Sequence, residues 1–178
     1  MTEYGELIAK KITAKLPADK LEQRIASFFK QQTMCSLATA SKDGQPRATP
    51  LECFADGMTL YIFGDPGTKI ENIKVNPKVA VSMCNQLKPS WEGDRWKGHK
   101  AMKITGVARL LGPDDPEYVR AMKKVIPWEG YLKAAGLGAT APPKGTVIKI
   151  ETQKIEYTEN GLMAEGYSSK QVWEPPRR

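Results

Sequence analysis

The spacing of hydrophobic residues changes early in the chain, and the change predicts a helical start followed by strands. Up to about residue 32 the apolar positions recur at three- and four-residue intervals, which is typical of one face of a helix. Asp19 is placed to cap the second of two such segments. We therefore expect N-terminal helices within residues 1–32, packed on the rest of the molecule. Their apolar positions are Leu7, Ile8 and Ile12 in one stripe and Leu21, Ile25, Phe28 and Phe29 in the next.

From Met34 onward the pattern is that of short strands separated by turn signals. Asp43-Gly44 and Asp56-Gly57 divide the first three strands, which we expect to form an antiparallel meander. A short helix follows the third strand and must end at Asn76-Pro77, and Gly106 marks a bulge or bend in a long fifth strand. Another helix is expected to begin with Asp115 as its cap and Pro116 in its first turn, with a buried side made of Tyr118, Val119, Met122 and Ile126. The predicted strands cover residues 34–40, 47–54, 58–63, 79–83, 102–111 and 146–151, with a possible continuation to residue 157.

Six antiparallel strands with helices at the ends predict a mostly β fold with flanking helices. We expect the sheet to close into a small barrel, because closure removes exposed strand edges. A doubly wound α/β fold would need helices between most strands, and the first three strands have none. The length of 178 residues suits a single domain over residues 1–178.

Composition and charge narrow the classes of function. Hydrophobic residues are 40% and charged residues 26%, as in ordinary globular proteins. No apolar run reaches the roughly 18 residues of a membrane helix, and the N-terminus lacks the signal-peptide pattern, so we expect a cytoplasmic protein. The net charge of +7 suits an anionic cofactor or substrate, whereas the scattered lysines do not indicate nucleic-acid binding. One histidine and three separated cysteines predict no metal site. Cys35, Cys53 and Cys84 all lie in apparent strands, where we expect them to be buried.

The segment GDPGTKIENI, residues 64–73, is the strongest candidate for chemistry. It follows an apolar strand and begins a helix at Thr68 and Lys69. A strand, a glycine-containing loop and a helix start with a lysine can together hold a phosphate group. The segment therefore predicts a phosphate-binding site.

A longer stretch, GQPRATPLECFADGMTLYIFGDPGTKIENIKVNPKVAVSM, resembles the flavin-binding split-barrel family related to pyridoxamine phosphate oxidase. The resemblance lies in an ordered series: Gly-x-Pro-Arg, an Asp-Gly turn, an aromatic strand, a small residue with lysine, then Asn-Pro. It extends less clearly through KITGVARLL, residues 103–111. It implies a six-stranded antiparallel split β-barrel of Greek-key type, with FMN as the cofactor at the interface of a homodimer.

The resemblance also implies a set of site residues. The FMN phosphate is expected at Arg47, Thr68 and Lys69, since arginine and lysine together can hold a dianion. The flavin ring is expected along Ala48, Thr49 and Pro50 on one strand and along Ile62 and Phe63 on the next. A further segment offers either a substrate pocket or contacts of the dimer and the loop itself: Trp91, Arg95 and Trp96. No side chain stands out as a catalytic acid or base.

Three departures argue against pyridoxamine phosphate as the substrate. Glu52 stands where the oxidase tends to have lysine, Ala101 stands where it has glutamine, and its C-terminal Arg-x-His motif is absent. We expect an FMN-dependent oxidoreductase that passes electrons from a reduced nicotinamide or a protein donor to a small acceptor. The alternatives are a flavin carrier or sensor without turnover, and a relative that binds haem or a deazaflavin. For haem the one histidine, His99, is the available imidazole ligand.

Overall fold

A computed structural model describes residues 12–64, 66–86, 97–138 and 141–176. Within these ranges the chain forms eight strands, four α-helices and one 3-10 helix. The strands are β1 Met34–Ala40, β2 Pro46–Glu52, β3 Phe54–Asp56, β4 Thr59–Gly64, β5 Lys78–Cys84, β6 Lys100–Leu111, β7 Thr146–Glu159 and β8 Lys170–Trp173. The helices are α1 Ala18–Gln31, α2 Thr68–Val75, α3 Pro116–Lys124 and α4 Trp128–Ala134, and the 3-10 helix is Asn160–Glu165.

The strands form one antiparallel half-barrel sheet with the order β2-β1-β5-β6-β7-β4-β3, and β8 pairs with β7. The expectation of a mostly β fold with flanking helices is confirmed. Three consecutive strands, β5 to β7, are followed in space by β4, which precedes them in the chain; this is Greek-key order. β2 and β3 lie at the two ends of the sheet but are consecutive in the chain, so the backbone itself joins the two edges.

The predicted number of six strands is wrong, because one predicted strand divides and another was missed. Residues 47–54 divide at Cys53: β2 pairs with β1, and β3 pairs with β4. A segment that leaves one edge of a sheet for the other must bend, and Cys53 is the bend. Its N–H still reaches the carbonyl of Thr33 at 2.8 Å. β8 was missed because its inward position is the buried Gln171, whereas Val172 is exposed, which reverses the expected alternation.

The bulge expected near Gly106 is confirmed. The register of β6 and β7 shifts between Thr105 and Gly106, where β7 carries one additional residue, Gln153. A Cβ on Gly106 would lie 2.6 Å from the backbone oxygen of Glu151, so the close approach of the two strands requires glycine here. Across the bulge β7 continues to Glu159, so the possible continuation beyond residue 151 is part of the same strand.

The barrel interior forms the larger hydrophobic core, and two helices cover its two ends. Phe28 of α1 packs edge-to-face against Tyr157 of β7, with ring centroids 6.2 Å apart. Ile70 and Ile73 of α2 enter the same core near Thr39, further along the strands. A second, smaller core under α3 lies on the outer face of β4 and the ends of β6 and β7. In the described ranges no helix is both long and apolar enough to cross a membrane.

Of the two helical segments predicted near the N-terminus, the second is confirmed as α1. α1 has the four expected buried positions, Leu21, Ile25, Phe28 and Phe29. Asp19 is not the N-cap but lies in the first turn, because the helix already begins at Ala18 after Pro17. The first stripe falls almost wholly on residues 1–11, outside the described residues, and the assignment of one domain to residues 1–178 stays a prediction.

Candidate functional site

The sheet has an opening between β2 and β4, which we call the split. Phe54 pairs with Tyr61, so two further steps of the same register would place Glu52 opposite Phe63. The two strands instead diverge at Cys53, and β2 hydrogen-bonds only to β1 within the described sheet. The predicted site residues of β2, β4 and α2 therefore border one opening. They come together because the chain bends at a single residue.

The side of β2 that faces the split has few hydrogen-bond donors. Thr33 and Cys53 form a hydrogen-bonded pair at one end of the β1–β2 ladder, and Ser41 and Gln45 form another at its other end. Such pairs alternate along an antiparallel ladder, so every second residue of β2 turns its backbone polar groups away from β1. These residues are Pro46, Ala48, Pro50 and Glu52.

This geometry explains why proline is tolerated in β2. Pro46 and Pro50 have no N–H, and at these positions none is needed by the ladder. Both prolines also prevent a further strand from pairing fully with this edge, which keeps the split open. Ala48 retains its N–H, which therefore points toward the split and is available to a ligand.

α2 begins beside the split with a glycine that its geometry requires. Gly67 is the N-cap with φ 146°, a region that favours glycine, and its carbonyl accepts from the N–H groups of Ile70 and Glu71 at 2.9 and 3.3 Å. Thr68 follows as the first helical residue and is exposed. As predicted, the helix ends before Asn76-Pro77.

One buried hydrogen bond ties α2 to the strand next to β2. The side-chain amide of Asn72 donates to the hydroxyl of Thr39 at 3.0 Å, and both residues are buried. Thr39 is the cross-strand partner of Arg47 on β2. Asn72 lies one helical turn after Thr68. The contact therefore brings the start of α2 to the end of β2 that carries Arg47.

Arg47 differs from the other arginines of the described residues. Arg24, Arg109 and Arg120 each form an ion pair with at least one carboxylate. Arg47 is exposed and has no hydrogen bond or ion pair within the part of the chain that the structure describes. Its guanidinium is thus not neutralised by any carboxylate of the described residues and can receive an anion.

Lys69 lies along the end of β4. Its Cε is 3.6 Å from the position that a Cβ on Gly64 would occupy, so the aliphatic part of the side chain packs across that glycine. Lys69 is half-buried and has an interaction of its own. A packed stem directs the ammonium group better than a fully solvated side chain would.

The residues expected along the flavin ring are distributed over two faces. Ala48 and Pro50 are exposed on the outer face of β2. Thr49 points to the other face, because its partner Leu37 is completely buried. The Thr49 hydroxyl oxygen is shielded from water and has no hydrogen-bond partner within the described ranges. An orphaned buried hydroxyl at the edge of the split is a position that a ligand could satisfy.

On β4 the two expected ring contacts are also divided between faces. Ile62 is fully buried in the barrel core, where only its backbone could approach a ligand. Phe63 is half-buried on the outer face and belongs to the core under α3. A Cβ on Gly145 would lie 2.6 Å from the Phe63 ring, so the loop before β7 crosses directly over the ring. This cover limits which part of Phe63 can meet a ligand.

The expected pocket residues Trp91, Arg95 and Trp96 lie outside the described residues. His99 is described and immediately precedes β6, where its carbonyl accepts from the N–H of Asn160 at 3.1 Å. Arg47 pairs with Thr39 on β1, and the register continues across β5 to Gly106 on β6. Arg47 and Gly106 therefore lie at about the same height along the strands. The seven residues from His99 to Gly106 span about 24 Å along a strand, so the histidine is remote from Arg47.

The most buried carboxylate of the described residues lies away from the split. Glu159 accepts from Lys100 at 2.9 Å, from Arg24 at 3.1 Å and from the Tyr157 hydroxyl at 2.8 Å. Burial raises the pKa of this carboxyl, but the hydrogen bonds from Lys100 and Tyr157 outweigh it, and the net pKa is lowered. Burial also raises the pKa of Tyr157. The cluster joins α1 to β6 and β7 and is structural.

A second charged cluster fastens α3 to the outer face of the sheet. Glu117 accepts from Lys149 at 2.8 Å, from Arg109 at 2.7 Å and from the Tyr61 hydroxyl at 3.2 Å. The hydrogen bond from Lys149 is the main cause of a lowered pKa for Glu117. Asp115, the predicted cap, accepts from the Glu117 N–H at 2.8 Å. Both charged clusters therefore hold helices on the sheet. Arg47, at the split, belongs to neither cluster.

Comparison with known proteins identifies the class of this fold. Residues 21–159 match the model of the pyridoxamine 5'-phosphate oxidase family, and the chain belongs to that family. A search of curated proteins finds no match.

Solved structures with this fold include proteins with different ligands. A predicted pyridoxamine 5'-phosphate oxidase from Listeria innocua is 25% identical with a TM-score of 0.56, over 77% of this chain and 97% of the other. An FAD-binding protein from Mesorhizobium loti is 22% identical with a TM-score of 0.56, over 79% and 90%. The haem storage protein HutZ from Vibrio cholerae is 15% identical with a TM-score of 0.57, over 75% and 90%. The last two show the fold alone.

Proposed function

We propose that this chain binds FMN at the split and acts as an oxidoreductase. The observation that carries the proposal is Arg47, whose charge has no protein partner in the described residues and lies beside the start of α2. An unneutralised guanidinium next to a helix N-terminus and Lys69 suits a phosphate dianion. The membership of the pyridoxamine 5'-phosphate oxidase family supports the same cofactor.

The residues present fit a flavin mononucleotide in two further respects. The Thr49 hydroxyl is buried without a partner in the described residues, and the backbone N–H of Ala48 faces the split. When bound, the flavin would supply the hydride or electron transfer chemistry. The chain's part is to bind and orient. Arg47, Thr68 and Lys69 hold the phosphate, and the edge of β2 fixes the remainder of the cofactor along the strand.

The outer face of the sheet supports a second copy of the chain as the partner. Ser36, Ala38, Ala48, Ala80 and Ser82 are cross-strand neighbours on the outer face of β2, β1 and β5, and all are exposed or half-exposed. A surface of small side chains leaves a ring bound beside it open to water. We therefore include in the proposal a homodimer in which the second barrel covers the flavin.

The test of the proposed function begins with the visible spectrum of the purified protein titrated with FMN. We expect the bound flavin to show two broad bands in the blue and near ultraviolet and tight, saturable binding. With FMN loaded, we expect oxidation of NADH or NADPH above the rate of free FMN when small acceptors are added. Pyridoxamine phosphate is expected to be a poor substrate, in line with Glu52 and the missing Arg-x-His motif.

Three other outcomes of these experiments would each favour one of the alternative functions. An intense Soret band after addition of haem, without FMN uptake, would contradict the proposal and favour the haem-binding relatives. Tight FMN binding without turnover would leave a flavin carrier or sensor. Preference for a deazaflavin over FMN would keep the site but change the cofactor.

A further inference from the structure

β2 carries opposite charges at its two ends. Arg47 and Glu52 are five residues apart, which corresponds to about 17 Å along a strand. Both side chains are exposed, but Arg47 lies on the same face as Thr49 and Glu52 on the opposite face, so a ligand that reaches both must lie along the edge of β2 that borders the split. Like Arg47, Glu52 forms no hydrogen bond or ion pair with any residue of the described ranges. Within the described residues, the strand therefore presents a cation without a counterion at one end and an anion without one at the other.

Glu52 belongs to the face and edge of β2 where a ligand is open to solvent. It shares the outer face with Ala48 and Pro50, and its cross-strand partner is Met34, which is 54% exposed. Its backbone polar groups turn toward the split, like those of Ala48. It also directly precedes Cys53, from which β2 and β4 diverge.

The orientation of FMN follows from the position of its phosphate. If the phosphate is bound by Arg47 and the start of α2, an FMN lying along β2 extends toward Pro50 and Glu52. The separation of the two charges is comparable with the length of an extended FMN. The carboxylate then lies at the ring end of the cofactor, where a reacting partner must approach. This step rests on the proposed function.

We propose that Glu52 is a specificity-determining residue that makes the ring end of the split electronegative. Molecules that exchange electrons with the flavin are then cationic or neutral, and phosphorylated or carboxylated ones are disfavoured. A single exposed charge a few ångströms from an approaching ion changes its local concentration about threefold at low salt. The effect is lost when salt screens it.

The experiment uses the FMN-loaded protein and redox probes of opposite charge. The flavin is reduced with dithionite, and its reoxidation is followed by stopped flow with ferricyanide as the anion and hexaammineruthenium(III) as the cation. The variants are Glu52→Gln, which preserves shape, and Glu52→Lys. Asp114→Asn and Asp114→Lys change the same charge in the exposed turn before α3 and serve as controls. Quenching of flavin fluorescence by iodide, caesium and acrylamide gives a readout that involves no electron transfer to a substrate.

We expect the ratio of the anion rate to the cation rate to rise at least about ninefold in Glu52→Gln and at least about 80-fold in Glu52→Lys, because each unit of charge acts on the two probes in opposite senses. Iodide quenching should rise in parallel, caesium quenching should fall, and quenching by neutral acrylamide should not change. The Asp114 variants should match the wild type, and 0.5 M salt should remove the differences. Unchanged ratios in FMN-bound Glu52→Lys, or equal shifts in Asp114→Lys, would overturn the inference while the proposed function stands. Failure of the wild type to bind FMN would overturn both.

Discussion

A single arginine distinguishes the candidate site from the other charged parts of the molecule. Arg24, Arg109 and Arg120 are engaged by carboxylates that fasten helices to the sheet. Arg47 has no such partner within the described residues and stands next to a helix start. Because an exposed ion pair contributes little to stability, an unpaired arginine costs the fold little and is free to bind a ligand.

The phosphate role of Arg47 and Lys69 can be tested by comparing two ligands. Removal of either charge-assisted contact should cost about 1.5–3 kcal/mol, which is roughly 10- to 150-fold in FMN affinity. Riboflavin lacks the phosphate, so Arg47→Ala and Lys69→Ala should bind it almost as the wild type does. Fluorescence titrations with both ligands provide the measurement.

Lys74→Ala is the matched control for this comparison. Lys74 lies on the same helix, is exposed and pairs with Glu71 at 2.8 Å, so its removal should change neither affinity. Equal losses for FMN and riboflavin in the Arg47 and Lys69 variants would indicate damage to the fold. No loss for either ligand would mean that the start of α2 is not a phosphate site.

At the scale of elements, local patterns predicted those parts of the fold that local forces determine. Alternation and glycine turns located the six predicted strands, and Asp115 with Pro116 located the start of α3. Val119, expected to be buried in α3, is 40% exposed, and α4 was missed. α4 buries no residue completely, so its sequence carries no strong periodic signal.

Long-range contacts explain what the sequence could not show of the site. The order of motifs identified Arg47, Thr68 and Lys69, but the bond between Asn72 and Thr39 joins residues 33 positions apart. Only the fold reveals it. The same applies to Cys84, which lies in a strand pattern and was expected to be buried but is exposed. Strand alternation gives two faces and does not by itself say which face a neighbouring element covers.

The bulge between β6 and β7 gives an element-scale prediction. Gly106→Ala should lower the free energy of unfolding by about 1–3 kcal/mol, because the new Cβ would meet the backbone oxygen of Glu151 at 2.6 Å and Ile150 Cγ2 at 2.8 Å. Backbone atoms of a paired strand cannot move aside cheaply. Urea unfolding monitored by circular dichroism measures the change.

The same substitution at Gly130, Gly130→Ala, should have the opposite effect on stability. Gly130 lies in α4, and a Cβ there would meet nothing within 4 Å, so alanine should stabilise the protein by about 0.5–1 kcal/mol. If Gly106→Ala were as stable as the wild type, the close approach of the strands at the bulge would not be a constraint on the sequence.

At the scale of the whole molecule, the Glu159 cluster joins elements that are far apart in the chain. Arg24 on α1 and Lys100 on β6 converge on a carboxylate of β7 whose side chain is 5% exposed. Glu159→Gln should destabilise the protein by about 2 kcal/mol, since charge-assisted bonds are lost and two cations remain. For a chain of this size the midpoint of thermal unfolding should fall by roughly 4–8 °C.

The pH dependence of this effect has a definite sign. The folded-state pKa of Glu159 is lowered, so its contribution is complete above the unfolded value of about 4.3 and is lost as the pH falls below it. The difference between the wild type and Glu159→Gln should be constant above about pH 5 and should shrink at lower pH. Glu156→Gln, on the exposed side of the same strand, should cost under about 0.5 kcal/mol at any pH. A pH-independent difference for Glu159→Gln would contradict the assignment.

The open outer face of β2, β1 and β5 leads to the prediction of a homodimer. One chain has a mass of 19.7 kDa, so light scattering of the FMN-loaded protein should give about 39 kDa. Ala80→Arg places a long charged side chain on the small-residue surface and should shift the mass toward that of one chain while weakening FMN binding. Gln153→Arg adds the same side chain at the exposed bulge of β7 and should change neither property. A wild-type mass near 20 kDa at micromolar concentration with FMN bound would show instead that one barrel suffices, and the flavin ring would then remain exposed along β2.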